Sequence, residues 1–150
     1  MIINSGGGDL NAAWQIIEVM DYIDTPVHTT ALGQIASAAL MVFMNGEPGQ
    51  RLATSRTSIM SHRYSWGASD SHQNLISIGQ EFNNIFERMT KHYEECTGLS
   101  PQEIHDKLLC EHDVWLTAKQ AQSFGLVDNV KESNKTKMLK NKNKKNKNKK

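Results

Sequence analysis

The sequence predicts an α/β domain, and three observations predict it. Short apolar stretches alternate with segments of helical periodicity through the opening part of the chain. Two glycine-rich breaks fall where a strand gives way to a helix. The 150 residues suffice for one core, and the composition shifts abruptly to lysine and asparagine near the end.

Met1–Asn4 is apolar and β-prone, and reads as the end of a buried strand whose beginning is missing. Ser5-Gly6-Gly7-Gly8-Asp9 forces a turn. From Asn11 to Tyr22, Ala13, Ile16, Ile17 and Met20 recur at helical spacing, with Asp9 or Asn11 as cap and Pro26 as a stop. Val27–Leu32, rich in threonine, is expected to be a strand, with Gly33 turning the chain into a buried helix over Ala36–Asn45. Arg51–Thr54 and Ser58–Ser61 read as short strands. This alternation points to parallel pairing with crossover helices, and to glycine turns gathered at one sheet edge, where ligands usually bind.

Leu75, Ile78, Phe82, Ile85, Met89, Tyr93 and Cys96 then form one apolar stripe. They define a helix of roughly 40 Å, which either packs on its own core or projects toward another subunit. Gly98 ends it. Ser100-Pro101-Gln102-Glu103 carries the signature of a capping box and opens the next helix. His112–Leu116 is extended, Thr117–Gln120 caps a last helix closed by Gly125, and Leu126–Val130 is a final strand.

The formal net charge of +1 hides a split. Residues 131–150 hold ten lysines and one glutamate, whereas residues 1–130 hold seven basic and fifteen acidic residues. The reading is therefore a domain over 1–130 and a disordered Lys/Asn-rich tail over 131–150, which cannot bury enough apolar surface to order itself. The tail has no aromatic residues for base stacking, so nucleic acid is not expected as a partner. Cys96 and Cys110 show neither metal-ligand spacing nor a disulfide framework, and read as reduced thiols of a cytoplasmic protein. No signal peptide is visible and the longest apolar run is too short to span a bilayer, so no membrane partner is expected.

Ser37 stands at the junction of a glycine turn and an apolar run. It is either a small residue at a tight helix contact or a nucleophile. A nucleophilic serine needs a base and an orienting carboxylate. Of six histidines, His62 is the one at the C-terminal end of a β segment, just before a loop. Asp113 is followed by Val114-Trp115-Leu116, an apolar setting in which a carboxylate needs a partner. Gly7 or Gly8 could supply one oxyanion donor and the N–H of Ala38 the other. As a phosphate cradle, Gly6-Gly7-Gly8-Asp9 lacks the Lys-Ser/Thr of a P-loop and the spacing of a dinucleotide fingerprint.

These residues resemble the motifs of one family. Ile3-Asn4-Ser5-Gly6-Gly7-Gly8 resembles the INSPGG segment of the Clp protease proteolytic subunit (ClpP), a serine peptidase. Gly33-Gln34-Ile35-Ala36-Ser37-Ala38 resembles its GQAASM nucleophile motif, Ser58–His62 the strand ending in its histidine, and His112–Ala118 the segment holding its aspartate. Phe124-Gly125-Leu126-Val127-Asp128 is similar to its YGLVD ending. The resemblance implies a ClpP/crotonase-like spiral of β-β-α units with a long protruding handle helix. It further implies a triad of Ser37, His62 and Asp113, with Gly8 and Ala38 as oxyanion donors. Partners implied are copies of the chain in heptameric-type rings that enclose a chamber, a Clp-type ATP-driven unfoldase, and unfolded protein or peptide substrates. The peptidase itself is expected to need no cofactor and no metal; ATP serves only the unfoldase. The chain departs from the family pattern at Gly6 (Pro in the family), Ala38 (Met), Arg63-Tyr64 (Gln-Pro) and His112 (Arg), and it begins inside the first motif's strand. A shortened or non-catalytic subunit that co-assembles with a complete ClpP paralogue is the alternative.

Overall fold

The computed structural model describes residues 1–65 and 67–139. Six strands form one sheet: β1 (Ile2–Ser5), β2 (Thr29–Ala36), β3 (Arg51–Thr54), β4 (Ser58–Ser61), β5 (Val114–Thr117) and β6 (Asn129–Lys131). Among the described residues, the helices packed with them are α1 (Leu10–Tyr22), α2 (Ala38–Met44), α3 (His72–Thr97), α4 (Pro101–Lys107) and α5 (Ala118–Ser123). The strand order is β5-β4-β2-β3-β6, with β1 also on β2. This is a mixed α/β architecture.

β2 is the spine. β1 pairs along residues 30–35, β3 with residues 29–31 and β4 with residues 34–36. Two expectations need correcting here. The strand does not end at a turn at Gly33; it runs on to Ala36. Gly33 has φ +67°, and a Cβ there would sit 3.0 Å from Asn4 Oδ1. Asn4 Oδ1 accepts from the Gln34 N–H, and the β1–β2 register slips between Ile3 and Ser5. The glycine thus absorbs a bulge inside the sheet rather than terminating it. Nor is the pairing wholly parallel, because β4 and β5 are antiparallel. β5 returns after the long excursion through α3 and α4, so no single crossover helix constrains its direction.

α1 is capped by Asp9, whose Oδ1 accepts from the Ala12 N–H at 2.7 Å, and it buries Leu10, Ala13 and Ile17. α2 buries all seven of its residues, as expected for a helix that is apolar all round. The capping box forms at α4 between Ser100 and Glu103, and a second one forms at α5 between Thr117 and Gln120. α3 is 26 residues long, and its fully buried residues, Met89, Thr90, His92 and Tyr93, all lie in its C-terminal part. Its N-terminal half carries Leu75 and Ile76 exposed.

Two polar contacts lock the core. The Arg51 guanidinium donates to both carboxylate oxygens of Asp128, and to the carbonyls of Cys96 and Met44. It thereby ties β3, α2, the end of α3 and the approach to β6 together. Buried His92 donates through Nε2 to the Met41 carbonyl at 3.1 Å, joining α3 to α2. Residues 134–139 continue as a turn of helix beyond β6. The greater part of the lysine–asparagine run, residues 140–150, lies outside the described residues.

Candidate active site

β4 acts as the ruler of the site. Its partner β2 ends at Ala36, opposite Met60, and the Ser37 N–H donates to the Met60 carbonyl at 3.0 Å. Its other partner, β5, begins at Val114, opposite Ser61. His62 is the residue just after β4, and Asp113 is the residue just before β5. The sheet therefore delivers Ser37, His62 and Asp113 to one spot from three separate stretches of sequence.

The contacts follow. Ser37 Oγ lies 2.7 Å from His62 Nε2, a short hydrogen bond in which the hydroxyl donates when the ring carries its proton on Nδ1. On the far side of the ring, His62 Nδ1 is 3.5 Å from Asp113 Oδ1. That separation is long for a hydrogen bond, and Asp113 is 55% exposed against 24% for His62. The serine–histidine contact is made, while the histidine–aspartate contact is open.

Ser37 is held in an unusual backbone conformation, with φ +56° and ψ −129°. Among the described residues it is the only non-glycine with positive φ. It stands at the N-cap of α2 but makes no side-chain cap bond, so its hydroxyl is left for His62. Such a conformation costs of order 1–3 kcal/mol, and is kept only where the surroundings enforce it. Gly7 is part of that enforcement. A Cβ on Gly7 would lie 2.6 Å from the Ala36 carbonyl oxygen and 2.8 Å from Ser37 Cβ, and its φ is +91°. The backbone of the glycine turn therefore presses directly on the serine.

The same turn separates the two oxyanion candidates of the sequence. The Gly7 N–H donates to Ser5 Oγ at 3.1 Å. Gly8 lines the cleft over Ser37 and has open space around it. That cleft, about 130 Å³, is bounded by Gly8, Ala38, His62, Met41, Met89 and Tyr93 among others. A larger hollow of about 530 Å³, lined by Asp21, Asp24, Glu47 and Glu95, reaches neither Ser37 nor His62. The hydroxyl and imidazole of the smaller cleft give it the chemistry that the larger one lacks.

Two residues behind the site were not legible in the sequence. Tyr93, fully buried on α3, exchanges a 2.8 Å hydrogen bond with Ser61, the residue before His62. Burial pushes the phenol up to about 12, with the Ser61 hydrogen bond pulling the other way, so it stays a neutral support for the end of β4. Arg63, directly after His62, donates through Nε to the Leu109 carbonyl at 2.6 Å. Neither contact has a local sequence signal, since the partners lie 32 and 46 residues apart.

The mixed α/β fold brings a hydroxyl, an imidazole and a carboxylate together at one edge of the sheet. The chain matches the Clp protease family over residues 1–134, and belongs to that family. The match makes the protein a ClpP-like peptidase by descent. Among the described residues no helix is long and apolar enough to cross a membrane.

Proposed function

We propose that this chain is the subunit of a serine endopeptidase that cleaves peptide bonds of unfolded proteins. The observation that carries the reading is the 2.7 Å contact between Ser37 Oγ and His62 Nε2, made by a serine in a strained conformation. In this reading Ser37 Oγ attacks the scissile carbonyl while His62 Nε2 takes its proton. Asp113 orients the ring and stabilises the imidazolium. The N–H groups of Gly8 and Ala38 receive the oxyanion; losing one such donor typically costs about 3 kcal/mol of barrier. His62 then returns the proton to the leaving amine, and water repeats the cycle on the acyl-enzyme. Each step uses side chains and backbone of this chain, with no metal or nucleotide; ATP belongs to a partner unfoldase of the Clp type.

The exposed N-terminal half of α3 supports assembly into rings, with that helix as a handle between them. Its burial against other subunits would remove Leu75 and Ile76 from water. The test is peptide hydrolysis by the full chain, with the oligomeric state followed by native mass spectrometry. Cleavage abolished by Ser37→Ala without a change in assembly supports the reading; cleavage that survives Ser37→Ala sinks it.

One observation favours a second reading, a non-catalytic subunit that joins a complete paralogue. Asp113 is half-exposed and stands 3.5 Å from the ring it should orient. This reading expects no hydrolysis by the chain alone, and co-purification with a complete ClpP subunit.

A further inference from the structure

We propose that Arg63 is the positioning residue that sets the separation of His62 and Asp113; the inference rests on the triad reading above. β4 ends at Ser61, and residues 62–65 belong to neither strand nor helix. Asp113 likewise sits in a connecting segment, between α4 and β5. Neither residue is inside the β4–β5 ladder, so the ladder alone does not fix how far apart they stand. The 3.5 Å gap between them is too long to hold itself together.

Arg63 bridges the two segments. Its Nε donates at 2.6 Å to the carbonyl of Leu109, which is wholly buried and lies four residues before Asp113. Leu109 lies just past the end of α4, where carbonyls lack helical partners, and a guanidinium N–H satisfies one with a charge-assisted bond. The guanidinium carbon also lies 5.0 Å from the centre of the Phe86 ring on α3. Phe86 in turn packs against the His105 ring of α4 at 4.8 Å, and His105 Nε2 meets Thr90 Oγ1 at 3.0 Å. One side chain thus ties the backbone next to His62, the segment leading to Asp113 and the middle of α3. It touches no reacting atom and acts through the placement of the other two.

The test uses the full chain, with Arg63→Met, which keeps the apolar stem and removes every donor, and Arg63→Lys, which keeps the charge and one donor group. The first readout is hydrogen exchange, which needs no activity. Arg63→Met should speed exchange in the segments 62–65 and 108–113 together, by about tenfold, with α1 and β2 unchanged. The second is labelling of Ser37 by a fluorophosphonate. It should slow by roughly ten- to a hundredfold in Arg63→Met and recover in part in Arg63→Lys. The double variant Arg63→Met/Asp113→Asn should label no more slowly than Asp113→Asn alone, because both act on one alignment. Unchanged exchange at 108–113, or additive losses in the double variant, would overturn the proposal. Changed exchange in a parent chain whose Ser37 never labels would uphold the strap and sink the peptidase reading instead.

Discussion

His62 and Asp113 face each other one step beyond the Ser61–Val114 pair, where the antiparallel β4–β5 ladder runs out. A parallel pairing would have put the start of β5 at the opposite end of β4, and the carboxylate with it. The antiparallel strand in an otherwise parallel sheet is what brings the third group to the site. It brings it to 3.5 Å, with Asp113 half-exposed. Asp113→Asn should therefore lower kcat by roughly ten- to a thousandfold, less than the ~10⁴ lost when a buried, tightly bonded aspartate is replaced. Steady-state kinetics on a peptide substrate check this.

The glycine turn should show sharply different tolerance at adjacent positions. Gly7→Ala drives a Cβ into Ala36 and Ser37, at a backbone angle that alanine avoids. It should destabilise the fold by more than about 1 kcal/mol and abolish Ser37 reactivity. Gly6 has open space and no positive φ, so Gly6→Ala should be nearly neutral in both. Urea unfolding of the two variants makes the comparison.

The Arg51–Asp128 pair should contribute stability that is lost as pH falls below about 4. Partial burial raises the Asp128 carboxyl, but its hydrogen bonds and ion pair with Arg51 outweigh that and hold it below the ordinary value. A depressed carboxylate stabilises the fold above its unfolded pKa of about 4 and loses that contribution as pH falls through the folded value. Asp128→Asn should remove this dependence. Asp128→Ala should cost about 3 kcal/mol, since it leaves a buried guanidinium unpaired. Denaturant midpoints from pH 2 to pH 7 give both quantities.

His92 should contribute a second, milder loss at higher pH. Its burial lowers its pKa, against the opposing pull of the Met41 carbonyl, Glu95 and Asp21. The folded state therefore keeps the ring neutral where the unfolded chain protonates it. Stability should fall as pH drops below about 6.5, and His92→Gln should flatten the curve in that window.

Much of this was legible in the sequence, for identifiable reasons. β3 and β4 lie where short alternating runs between turn residues placed them, and α1 begins within a residue of its expected start. Polar caps and apolar spacing are local signals, and local structure obeyed them. β2 was misjudged because glycine is ambiguous: Gly33 marks a bulge that only the partner residue Asn4 reveals. Ser37 carries positive φ with no residue-type signal, and the close approach of Gly7 to it joins segments thirty residues apart. Local context left other readings of Ser37, His62 and Asp113 open, and the resemblance to the family motifs joined them; their side chains lie side by side in the structure. The distances between them, and the Arg63 and Tyr93 contacts behind them, depend on pairings between remote segments that no local pattern encodes.

The most direct measurement is fluorophosphonate treatment of the full chain, with the adduct located by mass spectrometry. If His62 takes the serine proton across the 2.7 Å contact, a single adduct forms on Ser37 and is lost in His62→Ala. A folded chain whose Ser37 stays unlabelled, or labels equally well in His62→Ala, would contradict it.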